Sequence, residues 1–126
     1  MNSLGIDQIK QGKVAIDVSD IASGLAVTVV GDIDMQDPSV ILDPLFDKIH
    51  KGVMASGLKV VDFDLRQLAF LNSSGIKAIA KWIMNLAAAP ADKKYVIKIL
   101  QNMSISWQTT SLPTLTFLVP GAVQLG

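Results

Sequence analysis

Two neighbouring serines carry the side chains that are best placed to do chemistry in this sequence. Ser73 and Ser74 follow Asn72, after an apolar, strand-like run at residues 60–65 and at the start of an amphipathic, helix-like run. The first N–H groups of a helix have no partner inside the helix, so they favour negative charge. A phosphate on Ser73 would be well placed there, and Ser74 is the second candidate acceptor. A regulatory serine is therefore one interpretation of this pattern.

The same position also suits a helix cap. Asn72 or Ser73 could cap the helix and stabilise it by about 0.5–2 kcal/mol relative to alanine. The local sequence alone favours this simpler interpretation. Lys77 lies one helical turn after Ser73, where it either pairs with a phosphate or is only solvated.

Three further residues are candidates for partner contacts around the serines. Gly75 either lets a partner backbone approach closely or meets a packing need where the helix joins the strand. Asp32 and Asp34, in the segment GDID, are either partner contacts near the two serines or plain loop residues. The two aspartates have no third acidic residue at a suitable spacing, so the sequence predicts no metal site.

The sequence offers little for catalysis. His50, the single histidine, lies between Lys48 and Lys51 on a predicted helix, where we expect it to face solvent. The serine-nucleophile elbow and the glycine-rich phosphate loop are both missing, and there is no cysteine. We therefore predict a protein that is not an enzyme and needs no cofactor. An enzyme or ligand carrier with a pocket near residues 72–75 is the weakest alternative.

Composition and charge narrow the class of protein. Eleven basic and eleven acidic side chains give a net charge of zero, without a basic run. Binding to nucleic acid or to an anionic membrane is therefore not expected. The start of the chain does not resemble a secretory signal, and no apolar run approaches the roughly 20 residues that span a bilayer. We expect a cytoplasmic protein with one domain over residues 1–126.

The hydrophobic pattern predicts an α/β fold in which helices pack on a mixed β-sheet, in the order β-β-α-β-α-β-α-β. Residues 1–12 are expected to be a flexible lead-in. The predicted elements are strands at 14–18, 25–30, 60–65, 95–100 and 115–119, and helices at 44–56, 73–88 and 103–111. Pro38 and Pro44 each suit a helix start, so a separate short turn is expected from Pro38. A turn at residues 22–24 makes the first two strands antiparallel, and Pro113 bounds the third helix.

Two segments of the chain resemble the STAS domain family of sulfate transporters and anti-sigma factor antagonists. GDID at residues 31–34 is similar to the short signature that follows the second strand of that family. VVDFDLRQLAFLNSSGIKAI at residues 60–79 is similar to the family's strand, loop and Asp-Ser-Ser/Thr-Gly signature. In soluble bacterial members the first serine of this signature is phosphorylated, and it matches Ser73. Ser74 matches the Ser/Thr position and Gly75 the glycine.

The resemblance implies partner switching in bacterial signal transduction and transcription regulation. The unphosphorylated domain would bind an anti-sigma factor that is also a serine kinase of the histidine-kinase-like ATPase class. Phosphorylation by that kinase, which supplies the ATP site, would release the domain, and a PP2C-type phosphatase would restore it. Residues 72–75, Lys77, Asp32 and Asp34 would form the partner-binding surface, and a homodimer is left open.

One residue departs from the family pattern. Asn72 stands where the family usually has aspartate. The change either weakens kinase recognition or favours the phosphate, since one neighbouring negative charge is gone. The positive mean hydropathy of +0.43 also keeps an alternative open: a constitutive scaffold or assembly subunit of the same fold that is not phosphorylated.

Overall fold

The computed structural model describes residues 4–22, 24–118, 121 and 123–125. These residues form six strands, three helices and one short 3-10 turn. The strands are β1 (Ile9–Gln11), β2 (Val14–Ile21), β3 (Gly24–Ile33), β4 (Val60–Leu71), β5 (Val96–Leu100) and β6 (Val123–Leu125). The helices are α1 (Ser39–Ser56), α2 (Ser73–Ala87) and α3 (Ser106–Thr116), and the 3-10 turn is Ala91–Lys93.

The six strands form one mixed sheet whose spatial order is the order of the chain. β1, β2 and β3 are antiparallel neighbours, whereas β3, β4, β5 and β6 run parallel. Each parallel connection contains a helix and steps in the same direction. Right-handed crossovers of this kind place all three helices on one face of the sheet. The predicted fold class, a mixed sheet with helices packed on it, is confirmed.

Alternation along the strands separates the buried face of the sheet from its open face. Leu25, Val27 and Val29 of β3 are almost fully buried, and the side chains between them are half-exposed. On the helical face three aromatic rings join α1, β4 and α2. Phe46 stacks on Trp82 with ring centroids 4.7 Å apart, and Phe63 meets both rings edge-on. This cluster fixes α2 against the strand that precedes it.

β4 is twice as long as its sequence pattern predicts. Residues 66–71 are expected as a loop, but they continue the strand beside β3 as far as Leu71. Two register shifts each place one extra residue in β4, the first between Asp64 and Gln67 and the second between Leu68 and Phe70. Such bulges interrupt the alternation of buried and exposed side chains, so the pattern of a strand is lost although the pairing continues.

The two ends of the chain differ from the prediction. Ile9–Gln11 is a strand that pairs with β2, so the predicted lead-in is wrong for these residues; residues 1–3 lie outside the described part. The predicted strand at 115–119 is wrong up to residue 118, because α3 continues through Pro113 to Thr116. Residue 119 is outside the described residues, as is residue 23 of the predicted turn at 22–24. The last strand is Val123–Leu125 instead.

The two prolines near α1 belong to one helix. Pro38 is its N-cap residue, and its carbonyl oxygen accepts from the N–H groups of Ile41 and Leu42. Pro44 lies inside the helix, in its second turn. Proline there removes only the hydrogen bond to the carbonyl of Val40, a residue that is 69% exposed. The predicted break between the two prolines is therefore wrong.

Candidate functional site

The two sequence signatures meet at the carboxyl edge of the parallel strands. Ile33 ends β3 and lies opposite Leu71, which ends β4. The backbone N–H of Asn72 donates to the carbonyl oxygen of Ile33 at 3.1 Å, which extends the pairing by one residue beyond β4. The segment after β3 and the start of α2 are therefore neighbours, as parallel strands require of the segments that follow them.

The side chain of Asn72 makes two hydrogen bonds, one from each end of its amide. Oδ1 accepts from the backbone N–H of Gly75 at 2.9 Å, which makes Asn72 the N-cap of α2. Nδ2 donates to the carbonyl oxygen of Met35 at 2.8 Å. An aspartate could make the first bond but has no proton for the second. The departure at Asn72 thus has a structural role, since it ties the β3–α1 segment to the helix that carries the serines.

The two serines are the first two residues of α2. Ser73 is exposed and Ser74 is half-buried. Within the described residues, neither hydroxyl makes a hydrogen bond to another group of the protein. Because Asn72 caps the helix, the hydroxyl of Ser73 is not needed for capping. It stands free at the positive end of a 15-residue helix.

Gly75 is buried against Leu71. A Cβ atom at this position would lie 2.2 Å from Cδ1 of Leu71, so a larger residue would displace that side chain. Of the two interpretations that the sequence allows, the structure supplies a direct reason for the packing one. The glycine lets α2 start close to the end of β4.

The three charged residues that are candidates for partner contacts differ in exposure and in ion pairing. Asp34 forms an exposed ion pair with Lys13 at 3.2 Å, and Asp32 is half-buried in β3 opposite Phe70. Lys77 is exposed, and within the described part of the chain it forms no ion pair. It lines a groove of about 240 Å³ between α1 and α2, which also includes Ser74 and Lys81. Lys81 itself pairs with Asp43 across this groove at 3.4 Å.

Comparison with solved structures identifies the architecture. A crystal structure of an anti-sigma factor antagonist from Mycobacterium paratuberculosis matches with a TM-score of 0.58 and 20% identity, covering 88% of this chain and 85% of the other. The activator SiaC, in its complex with the diguanylate cyclase SiaD from Pseudomonas aeruginosa, matches with a TM-score of 0.69 and 15% identity, covering 95% and 98%. The chain has the STAS fold. No family model and no curated protein matches the sequence.

The single histidine of the chain lies far from the serines in the fold. His50 is in the second half of α1, and its Nδ1 is 2.9 Å from the hydroxyl of Tyr95, next to the start of β5. Trp82 donates its indole N–H to the same hydroxyl at 2.8 Å, which leaves the Tyr95 proton free to be donated to neutral His50. The expectation that His50 faces solvent is wrong, because it is half-buried in this contact. The pKa of His50 is lowered, mainly because its side chain is partly buried.

Two polar features of the structure lie outside the predictions made from the sequence. Arg66 binds the carboxylate of Asp64 through Nε and Nη2, at 3.0 and 2.8 Å, and this contact lowers the pKa of Asp64. The spacing of two along a strand is the only signal of this pair.

Gln108 is fully buried in α3 and bonds to backbone groups of β4. Nothing in the local sequence predicts that role, because its partners lie about 40 residues earlier.

The described residues also limit other kinds of site. In residues 4–22, 24–118, 121 and 123–125, no group of three or more metal-ligating side chains comes together. None of the helices in these ranges has the length and apolar composition that a membrane crossing requires.

Proposed function

We propose that this STAS domain is a non-enzymatic regulatory binding module, similar to an anti-sigma factor antagonist, that is switched by phosphorylation of Ser73. One observation carries the proposal: Ser73 is exposed at the start of α2 and its hydroxyl has no partner among the described residues, because Asn72 caps the helix in its place. A serine that served only as the cap would be engaged with the N–H groups of the first turn.

The electrostatics of this position suit a phosphate. Phosphorylation adds about −1.5 to −2 charges at neutral pH, which the helix N-terminus accommodates without a change of fold. Lys77, one turn along α2, supplies a cation that has no partner among the described residues. A partner that packs closely over Ser73 would have to bury the added charge, so it would be released by repulsion and desolvation.

Exposed apolar side chains at the same edge of the sheet as the serine suit a protein partner. Phe70 at the end of β4 is 47% exposed, and Val40 in the first turn of α1 is 69% exposed. Met103, after the end of β5, is 70% exposed. The connections place all three at the same edge of the sheet as Ser73. Apolar anchors around a modifiable polar group are typical of a protein interface. Asp32 and Asp34 are proposed as the charged part of the same surface.

The partners follow from the resemblance to antagonists. We propose an anti-sigma factor with serine kinase activity of the histidine-kinase-like ATPase class, and a PP2C-type phosphatase that removes the phosphate. The pathway would be cytoplasmic and would regulate transcription. A second output is favoured by the broader match to SiaC, which activates a diguanylate cyclase: the partner released or captured would then be an enzyme. A constitutive scaffold that is never phosphorylated is the remaining alternative.

A quantitative pull-down from the native cell extract tests the switch. The baits are the wild type, Ser73→Ala, Ser73→Asp and a control, Ser19→Asp, which adds the same charge on the open face of β2. A partner kept by the first two and by the control, but lost by Ser73→Asp, supports the switch. Identical partners on all four baits would favour the scaffold. Mass spectrometry of the bound and released protein then locates the phosphate on Ser73 or Ser74.

A further inference from the structure

Among the described residues, the half of β4 that leads to Ser73 has no neighbouring strand on one side. β5 pairs with β4 only from Val60 to Asp64, where Leu100 ends β5. Beyond Asp64, β4 continues to Leu71 with β3 alone. Backbone carbonyls that face a missing strand need other donors, because an unpaired buried carbonyl destabilises the fold. The two bulges of β4 lie in this same half.

Gln108 of α3 donates to two of these carbonyl oxygens. Its Nε2 donates to the carbonyl oxygen of Leu65 at 2.6 Å and to that of Leu68 at 3.2 Å. Its Oε1 accepts from the backbone N–H of Asn102 at 2.7 Å. Gln108 has no exposed surface and is the one buried polar side chain of the described core. A buried side chain whose every polar atom is engaged holds its neighbours in one arrangement.

Two neighbours of Gln108 complete this contact. The indole N–H of Trp107 donates to the carbonyl oxygen of Leu68 at 3.1 Å, and Nδ2 of Asn102 donates to that of Arg66 at 3.2 Å. The start of α3 and the loop before it therefore replace β5 beside residues 65–68. Three residues after Leu68, β4 ends and passes directly into Asn72 and Ser73.

We propose that Gln108 is a positioning residue for the serine switch: it fixes the bulged end of β4 and so couples the position of α3 to Ser73. Its consequence for partner binding rests on the function proposed above, whereas the coupling itself is a property of the fold. Only two other side chains of α3, Leu112 and Leu115, are buried. The position of α3 thus depends strongly on Gln108. A displacement of α3 is therefore expected to move Ser73, and a change at Ser73 is expected to move α3.

Hydrogen exchange of the full chain tests the positioning role. Gln108→Met keeps the size of the side chain but removes both donors. We expect residues 65–76 to exchange about tenfold faster or more, while β2 and β3 keep their protection up to residue 29. The matched control is Leu112→Ala, which weakens the packing of the same helix but leaves the hydrogen bonds. Equal loss of protection in the two variants, or none in Gln108→Met, would overturn the proposal.

A second variant makes the donor at position 108 depend on pH. Gln108→Glu keeps an acceptor for Asn102, but as a carboxylate it has no proton for Leu65. Burial raises the pKa of such a carboxyl group, so mild acid returns a donor. We expect protection of residues 65–76, relative to the wild type at each pH, to recover as the pH falls. Protection that stays low at every pH would count against the donor role.

The indole N–H resonances report the coupling in the other direction. Trp107 donates to Leu68 near the switch, whereas Trp82 donates to Tyr95 in the core. We expect Ser73→Asp to shift the Trp107 resonance, to leave that of Trp82 in place, and to have a smaller effect in Gln108→Met. An equal shift in both backgrounds would show that the coupling bypasses Gln108. If the coupling is observed but Ser73→Asp releases no partner, the proposed function fails and the positioning role stands.

Discussion

Nδ2 of Asn72 lies 2.8 Å from the carbonyl oxygen of Met35, and this bond joins two segments that are 37 residues apart. The same side chain caps α2 through Gly75. Asn72, which differs from the family pattern, therefore makes two structural hydrogen bonds. An aspartate could make only the bond to Gly75. The capping bond leaves Ser73 unengaged, and the bond to Met35 fixes the segment beside it.

Replacing Asn72 with aspartate separates the effects of its two hydrogen bonds. Asn72→Asp retains the cap but sets a carboxylate against the Met35 carbonyl, so we expect a loss of about 1–2 kcal/mol in the free energy of unfolding. Because aspartate is the usual residue of STAS proteins at this position, the proposed phosphorylation by a partner kinase should become faster. Urea denaturation and a kinase assay measure the two effects. Unchanged phosphorylation rates would make the departure incidental to recognition, and an unchanged stability would remove the role of Met35.

Because Asn72 caps α2 and Ser73 does not, we expect alanine at the two positions to change the free energy of unfolding by different amounts. Ser73→Ala should change the free energy of unfolding by no more than about 0.5 kcal/mol, because its hydroxyl has no partner among the described residues. Asn72→Ala should cost about 0.5–2 kcal/mol through loss of the cap alone. Denaturation of the two variants side by side is the measurement. A larger cost for Ser73→Ala would return this serine to the role of a cap.

The contact between Gly75 and Leu71 predicts a coupled pair. Gly75→Ala places a methyl group 2.2 Å from Cδ1 of Leu71, so we expect a destabilisation of about 1–3 kcal/mol. In a Leu71→Ala background the same change should cost much less, because the space is then open. A double-mutant cycle gives the coupling. If Gly75→Ala leaves stability intact but weakens partner binding, the glycine serves the partner and not the packing.

His50 predicts a loss of stability in mild acid. Burial lowers its pKa in the folded protein, Lys51 adds to this effect and Asp47 opposes it. The unfolded chain then binds the proton more readily, so this stability is complete above the usual pKa of 6.5 and is lost as the pH falls through the folded value. Thermal melts between about pH 7.5 and 5 should show the decline, and His50→Gln, which still accepts from Tyr95, should flatten it. Parallel slopes for both proteins would assign the decline to other groups.

Asp64 adds a second, more acidic step with the same sign. Its hydrogen bonds from Arg66 lower its pKa, so its contribution is present above the usual value and is lost at lower pH. The two steps can be separated because the carboxyl group titrates near pH 4 in unfolded chains, about two and a half units below histidine. Arg66→Met should remove the lower step and leave the His50 step in place.

Elements whose evidence is local follow from the amino-acid pattern alone. Helix α2 was predicted within one residue of its end, because Ile79, Ile83 and Leu86 repeat at helical spacing and are buried as expected. Lys77 and Lys81 lie on its exposed face, and Gly57 ends α1 in the left-handed conformation that glycine favours. The regular alternation in β2 and β3 likewise defined both strands, and with them the mixed α/β fold.

The tertiary structure decided whatever depends on partners distant in the chain. Pairing with β3 continues β4 through two bulges where the alternation fails, and packing against the sheet makes α3 a helix through Pro113 although residues 115–119 are mostly apolar. The bond from Asn72 to Met35 likewise joins distant segments, which no local pattern reveals. Propensity and periodicity act over a few residues, whereas these outcomes depend on hydrogen bonds and burial between segments that only the fold brings together.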